Sequence, residues 1–272
     1  MTSEKIELDG AKATLYLEAP SWDGLGTMAI GALKAPDIET ANALLDHIRQ
    51  RAKALGAEAL IGPMDGDTWH SYRLVTETDG RPPFLMEPTS PAHLLQAFEA
   101  AGFQTISRYF SAARPLVQGI PDASIQIWDG SDPDALFTQV HRLSCEAFAD
   151  NAFYKPIDLD TFLGMYRPVI PMLKPDLVLF ARDGDRLTGF LFGIPDYAEG
   201  PGTKTAILKT YASLARGVGR ALAQTFHANA AASGYDMAIH ALIHDDNISA
   251  DRSRQEGAAI FRRYALMGLR LV

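Results

Sequence analysis

A glycine-rich turn, Arg216-Gly217-Val218-Gly219-Arg220, joins an apolar segment to an alanine-rich one. Because glycine has no Cβ, a bulky anion such as a pyrophosphate could approach this backbone closely. If a helix begins at the turn, its unpaired N–H groups and its dipole also favour an anion there. The residue types therefore indicate a phosphate-binding site, and the alternative is an ordinary strand-to-helix turn.

The segments on either side of the turn predict the elements that would position it. Residues Lys204 to Ser213 form an apolar run typical of a buried strand. After the turn, apolar residues recur every four positions from Val218 to Ala230, which predicts an amphipathic helix. Gly234 suits the left-handed residue that ends a helix.

Two common phosphate-binding motifs do not fit this turn. A Walker A loop has Lys-Ser or Lys-Thr after its last glycine, whereas Gly219 is followed by Arg220-Ala221. A dinucleotide-binding fingerprint has a small residue three places after its second glycine, and Leu222 occupies that position.

The turn resembles the acyl-coenzyme A loop of the GNAT superfamily of N-acetyltransferases, whose pattern is Gln/Arg-x-x-Gly-x-Gly/Ala. The register from Arg216 to Ala221 fits this pattern throughout, while the register from Leu214 to Gly219 has Leu214 in the Gln/Arg place. A second strand, Asp236 to Ile243, and then Asn247 follow, as in that family. The resemblance covers roughly residues 122 to 272.

The resemblance implies an α/β fold with a mixed sheet and acetyl-coenzyme A as co-substrate. The residues that it places at the coenzyme are Tyr211, Ala212, Arg216, Gly217, Val218, Gly219, Arg220, Ala221 and Asn247. It also implies a substrate-contacting loop after a helix that starts at Pro133 and runs to about Ala149. The aromatic residues of that loop, which form either an acceptor pocket or core, are Phe148, Phe153 and Tyr154.

The implied chemistry is attack of an amine on a thioester, with loss of a proton from the amine and release of a thiolate. By this resemblance, the candidate general bases are Glu146 and Asp245. The alternative for each residue is an ordinary surface or capping charge. Either carboxylate would need burial to raise its basicity. Residues Asn247 to Glu256 lack the tyrosine that many GNAT proteins use as an acid, so Tyr264 is the remaining candidate and water-assisted release the alternative.

The first half of the chain reads as a degenerate copy of the second. Identities at an offset of 178 residues include Ala43, Leu44, Ala52, Gly56, Ile61 and Ser71, and those at an offset of 155 are Gly102, Arg108 and Tyr109. Glu39 and Ala41 occupy the places of Gly217 and Gly219, and Trp69 that of Asn247. A carboxylate and an added Cβ oppose a phosphate. We therefore expect two tandem GNAT-like domains, 1–113 and 122–272, joined by a linker at 114–121.

Composition restricts the partners. The formal net charge is −8 and the pI is near 5.3, which disfavours nucleic acid and anionic membranes. The single cysteine, Cys145, and an N-terminus without signal-peptide features fit a cytoplasmic protein, and a homodimer is an open option. His240 and His244 would lie about 13 Å apart along a strand, so no metal site is expected.

The sequence therefore favours a cytoplasmic N-acetyltransferase that acetylates a small amine, an amino acid or a peptide. The rival is a non-catalytic acyl-coenzyme A binding or regulatory protein, in which the phosphate-binding turn persists without an arranged base or acid.

Overall fold

One mixed sheet of 12 strands organises the chain, and the computed structural model describes residues 2–271 of it. The strands are β1 Ser3–Leu8, β2 Ala11–Tyr16, β3 Thr27–Lys34, β4 Ala59–Gly62, β5 Leu74–Thr78, β6 Gln104–Pro115, β7 Gln126–Ile127, β8 Val178–Asp183, β9 Arg186–Pro195, β10 Thr205–Ser213, β11 Met237–His244 and β12 Ala259–Arg270. The helices are α1 Ile38–Ala54, α2 Ala92–Ala100, α3 Pro133–Ala147, α4 Leu159–Tyr166, α5 Val218–Ala232 and α6 Ile248–Gln255. The expected mixed α/β fold is confirmed.

The centre of the sheet exchanges strands between the two halves of the chain. The order is β1-β2-β3-β4-β12-β6-β11-β10-β9-β8-β7, with β5 also paired to β12. Strand β12, at the end of the chain, pairs with β4, and β6 pairs with β11. The last strand of each half thus completes the sheet of the other half.

The elements repeat at the two offsets that relate the halves of the sequence. Strands β3 and β10 start 178 residues apart, as do β4 and β11, whereas β6 and β12 start and end 155 residues apart. Tyr109 and Tyr264, which correspond at the second offset, are direct partners in the β6–β12 ladder. A pseudo-twofold axis therefore passes between these two residues.

The helices begin and end where their sequence signals lie. Asp37 caps α1 by accepting from the Thr40 N–H at 2.9 Å, and Asp158 caps α4 by accepting from Thr161 N–H at 2.8 Å. Gly234, at φ 86°, follows α5 in the left-handed conformation. The buried faces of α1 and α5 each pack on the sheet of their own half.

Some element bounds differ from the sequence-based expectation. Strand β6 runs to Pro115, so it extends past residue 113 into the segment predicted as a linker. The last strand extends over Ala259–Arg270, longer than its apolar run Ile260 to Leu266, because its ends pair with β6 and β4 of the other half. Helix α3 ends at Ala147 instead of Ala149. Within residues 2–271, no helix has the length and apolarity needed to cross a membrane.

Candidate active site

Strands β10 and β11 part from each other and leave a gap at the centre of the second half. Their parallel pairing joins Thr205–Leu208 to Met237–His240 and stops there, although both strands continue. A bulge at Lys209 interrupts the pairing of β10 with β9 at the same level. Beyond Leu208, the edge of β10 that faces the gap has no partner strand, so its N–H and C=O groups are available to a ligand.

The gap leads to the start of α5, where the glycine turn lies. Gly217, at φ 87°, precedes the helix and supplies no side-chain cap. The N–H groups of Val218 and Gly219 make no hydrogen bond within residues 2–271. Arg216 and Arg220 are exposed beside them. Free N–H donors, a helix dipole and two guanidinium groups together form the expected binding site for an anion.

Arg252, on α6, is a residue of this site that the sequence reasoning missed. Its Nη1 donates to the Tyr211 hydroxyl at 3.3 Å, and a Cβ built on Gly219 would lie 2.6 Å from the same Nη1. The absence of a side chain at Gly219 therefore makes room for the Arg252 guanidinium. Asn247 caps α6, since its Oδ1 accepts from the Ser249 N–H at 3.3 Å. The sequence signal that could have found Arg252 is its position on the second turn of the helix that Asn247 caps.

A cavity of about 1010 Å³ continues from the gap into the space between the two halves. Tyr211, Leu242, Asn247 and Arg252 line it on the side of the second half. Two segments of the first half, residues 68–73 and 86–88, line it on the opposite side. The cavity is therefore a joint product of both halves.

Two of the three predicted acceptor-site aromatics reach this cavity. Phe148 and Tyr154 line it, and the indole of Trp69 lies against both rings, with centroid distances of 6.4 and 6.0 Å. The indole N–H of Trp69 donates to the Lys155 carbonyl at 2.8 Å. This hydrogen bond connects the first half to the loop after α3. Phe153 is not among the lining residues and packs against a core cluster of the first half.

The predicted acid and base residues lie outside the lining of the cavity. Glu146 is exposed on α3 and pairs with Arg186 at 3.0 Å. Asp245 is half-buried and its Oδ1 has no hydrogen-bond partner within residues 2–271. Tyr264 is only 1% exposed, and its hydroxyl donates to Glu87 and contacts Ser111 at 3.0 Å. Burial raises the pKa of Tyr264, which keeps this hydroxyl protonated.

Two charged groups that line the cavity, Lys209 and Glu87, were not found from the sequence. Lys209 extends from the bulge of β10, where its Nζ donates to the Met86 carbonyl at 3.1 Å. Burial, with a smaller contribution from the charge of Arg73, lowers the pKa of Lys209 to about 8. Glu87, in the proline-rich stretch, is fully buried and receives hydrogen bonds from Arg262 and the Phe84 N–H.

His240 is buried in the middle of β11 and is not a polar residue at the end of a strand. Its Nε2 lies 2.9 Å from Nε2 of His227, and its Nδ1 lies 2.9 Å from the Ser253 hydroxyl. Burial lowers the pKa of His240 to about 4 and that of His227 to about 3, so both rings are neutral at pH 7.

The two histidines and Glu256 place their ligand atoms within 4.8 Å of one another, which raises the question of a metal. The ring centroids are 5.1 Å apart while the two Nε2 atoms are 2.9 Å apart, so the rings meet head to head. One ring therefore donates its N–H to the lone pair of the other. Zinc requires lone pairs that converge on a third point about 2.0–2.1 Å from each nitrogen, and we assign no metal here.

The equivalent gap in the first half is filled by the chain itself. Strand β4 ends at Gly62, and the Met64 N–H then donates to the Ile30 carbonyl of β3 at 2.8 Å. The Asp65 carboxylate accepts from the Ala32 N–H at 2.6 Å, beyond the last pair of β3 with β4. At the start of α1, Asp37 already occupies a helical N–H. In the first half, carboxylates thus occupy the N–H groups of β3 and α1, whereas the equivalent N–H groups of β10 and α5 are free in the part of the chain that the structure describes.

The chain was also compared with known proteins. No protein-family model matches it, and no curated protein matches its sequence. Its structure is similar to a GCN5-related N-acetyltransferase from Sphaerobacter thermophilus, with a TM-score of 0.58 and 13% identity over 96% of this chain and 76% of that one. A GCN5-related N-acetyltransferase from Anabaena variabilis ATCC 29413 gives 0.54 at 13% identity, over 96% of this chain and 60% of that chain.

A third solved structure is described as a tandem GNAT protein from the clavulanic acid biosynthesis pathway. It has a TM-score of 0.52 and 13% identity over 98% of this chain and 81% of that one. At sequence identities this low, the similarity shows a shared fold and does not identify the substrate. The chain has the fold of the GCN5-related N-acetyltransferases, as the turn between β10 and α5 predicted.

Proposed function

We propose that this protein transfers an acetyl group from acetyl-coenzyme A to a primary amine of a small molecule, an amino acid or a peptide. The observation that carries the proposal is the gap between β10 and β11, which ends at an uncapped helix N-terminus and opens into a cavity. The fold shared with N-acetyltransferases supports an acyl transfer.

The residues present fit the coenzyme. The Val218 and Gly219 N–H groups would receive its pyrophosphate, with Arg216 and Arg220 beside them. The bare Gly219 leaves Arg252 free to face the same anion. The unpaired edge of β10 at Tyr211 and Ala212 offers donors and acceptors for the amides of the pantetheine arm.

The coenzyme supplies an activated thioester, and this chain's residues orient the amine and exclude bulk water. Phe148, Tyr154 and Trp69 form an aromatic wall for the acceptor. Glu87 lines the cavity, but donors already occupy its oxygens. We therefore propose that the amine proton and the thiol proton are exchanged with water in the cavity, and we give Glu146 and Tyr264 no part in proton transfer.

We also propose that the first half, residues 1–113, is a degenerate copy whose function is to wall the acceptor cavity. Its closed gap, where Asp65 accepts from the Ala32 N–H of β3 and Asp37 caps α1, favours no coenzyme site there. The segments 68–73 and 86–88 support its role as a wall. Residues 114–121 then connect it to the coenzyme-binding half.

The rival function is binding of acyl-coenzyme A without turnover, as expected of a regulatory protein. It is favoured by the absence of a predicted acid or base among the cavity-lining residues of the described chain. The two functions share the coenzyme site and differ only in whether product forms.

The loss of the thioester's ultraviolet absorbance tests the proposal, with acetyl-coenzyme A, a panel of amines and mass spectrometry of the products. A thiol reagent is less suitable because Cys145 would also react. We expect amine-dependent thioester loss and acetylated product from the wild type, and neither from Gly219→Glu. Saturable coenzyme binding without product from any amine would favour the rival, and no binding at millimolar coenzyme would refute both.

A further inference from the structure

The cavity contains a buried arginine whose charge has no counter-ion, and this residue points to the acceptor. Arg73 is 7% exposed and lines the cavity. No carboxylate pairs with it among residues 2–271. Burying a charge is costly unless it is paired, so a lone buried guanidinium in a ligand cavity indicates an anionic partner.

The contacts of Arg73 show which of its edges is free. The rings of Tyr72 and Tyr109 lie against it, with centroids 3.9 and 4.1 Å from Cζ. Nη1 donates to the Leu242 carbonyl at 3.3 Å. Nε is buried and has no hydrogen-bond partner within the described chain. The side edge, formed by Nε and Nη2, therefore remains for a ligand, and such an edge binds a carboxylate through two parallel hydrogen bonds.

The position of Arg73 is also that of an acceptor-binding residue. Leu242 lies in β11 beyond His240, where β11 and β10 have already parted. The guanidinium thus stands on the first-half wall, opposite the widened gap where the proposed function places the thioester. Lys209 adds a second cation, whose one hydrogen bond within residues 2–271 goes to the Met86 carbonyl.

Glu87, which also lines the cavity, does not neutralise Arg73. It accepts hydrogen bonds from Arg262 and from Tyr264, so its charge is already paired. Within residues 2–271, no carboxylate lies in salt-bridge distance of Arg73 or Lys209. Two cations without a carboxylate partner favour an acceptor that carries a negative group over one that lacks it.

We infer that the acceptor is an amine that also carries a carboxylate, such as a free amino acid, and that Arg73 binds this carboxylate through its Nε–Nη2 edge with the aromatic wall holding the side chain. This inference rests on the proposed function and names its substrate class. Arg73 would be a binding and specificity-determining residue, because the bonds that form and break in acetyl transfer do not involve it.

Matched acceptors test the inference. Phenylalanine is compared with phenylalanine amide and phenethylamine, which lack the carboxylate, and with the analogue that has a phosphonate in its place. We expect kcat/KM for phenylalanine to exceed that of either amine without a carboxylate by at least about 10-fold. In Arg73→Met this preference should fall to near unity, mostly through KM, with phenethylamine little affected. Arg73→Lys, which keeps the charge but loses the fork, should retain only part of it.

Arg263→Met is the matched control, since Arg263 is a half-buried residue of β12 that does not line the cavity and pairs with Glu77. It should keep the wild-type preference. Folding of each variant is checked by the rise in melting temperature with acetyl-coenzyme A. An equal loss of activity of Arg73→Met toward all acceptors would contradict the inference. So would a wild-type preference for the amines without a carboxylate or for the phosphonate.

A binding measurement keeps the inference testable without turnover. N-acetylphenylalanine and N-acetylphenethylamine are titrated into the protein with and without coenzyme A. We expect tighter binding of the carboxylate compound and loss of the difference in Arg73→Met. If coenzyme binds but neither compound does, or both bind equally, the inference fails while the coenzyme site stands. Failure of coenzyme binding alone contradicts the proposed function.

Discussion

The replacement Gly219→Glu examines the phosphate-binding turn most closely. A Cβ at this position would lie 2.6 Å from Nη1 of Arg252 and 3.1 Å from the Ser213 hydroxyl. The guanidinium can move, so the fold should tolerate the change. The new carboxylate would then lie at the start of α5, where it is stabilised by the helix dipole. It would take the place of the coenzyme's phosphates and repel them.

The magnitude follows from linkage. Acetyl-coenzyme A at 100 times its dissociation constant should stabilise the wild type by about 2.7 kcal/mol, which corresponds to a rise in melting temperature of about 5–10 °C for a chain of this size. A variant whose affinity is at least 100-fold lower gains at most about 0.4 kcal/mol at the same concentration, or roughly 1 °C. Scanning fluorimetry resolves this difference.

The control for this prediction is Gly202→Glu. Gly202 is exposed in the turn before β10, and a Cβ there meets no atom within 4 Å. It adds the same charge away from α5 and should leave the coenzyme-induced shift intact. A full shift in Gly219→Glu, or an equal loss in both variants, would refute the placement of the phosphates at α5.

Three further predictions concern the acceptor wall, a discarded base and the buried histidines. Trp69→Ala should lower the free energy of unfolding by about 3 kcal/mol and raise KM for the acceptor, while calorimetry shows unchanged coenzyme affinity, since Trp69 contacts the loop after α3 rather than the turn. Glu146→Gln should keep full kcat at every pH, because Glu146 lies on the surface and pairs with Arg186. A large loss of kcat would instead identify Glu146 as the general base. Because burial lowers the pKa of His240 to about 4, from an unfolded value near 6.5, the unfolded chain takes up its proton first and the free energy of unfolding should fall as the pH drops through this range. His240 should contribute about 3 kcal/mol to this fall, and His227, whose pKa is lowered to about 3, adds to it. Urea titrations should therefore find the fall reduced in His240→Gln and much smaller when both His227 and His240 are replaced by Gln.

The local signals of the sequence predicted the elements well, since they act over a few residues. Gly217 marked the turn before α5, and Gly234 marked the end of that helix. The resemblance of residues 216–221 to the acyl-coenzyme A loop depended on the same short range. The predicted fold followed from these elements in their order.

The exchange of β6 and β12 could not be predicted in the same way. Both strands have similar apolar patterns, and either could complete either half; only the packing of the whole sheet selects the partner. The cavity residues depend on this exchange. Arg73 and Glu87 come from irregular segments of the first half, far in sequence from the β10 turn, so no spacing pattern connects them to it.

Hydrogen exchange with mass spectrometry tests the central claim, that one coenzyme binds in the gap of the second half. Acetyl-coenzyme A should slow the exchange of backbone amides in residues 209–220, including the free N–H groups of Val218 and Gly219. The equivalent residues 31–42, where Asp65 and Asp37 already hold the donors, should be unchanged. Protection of residues 31–42, or none in residues 209–220 at saturating coenzyme, would contradict the account.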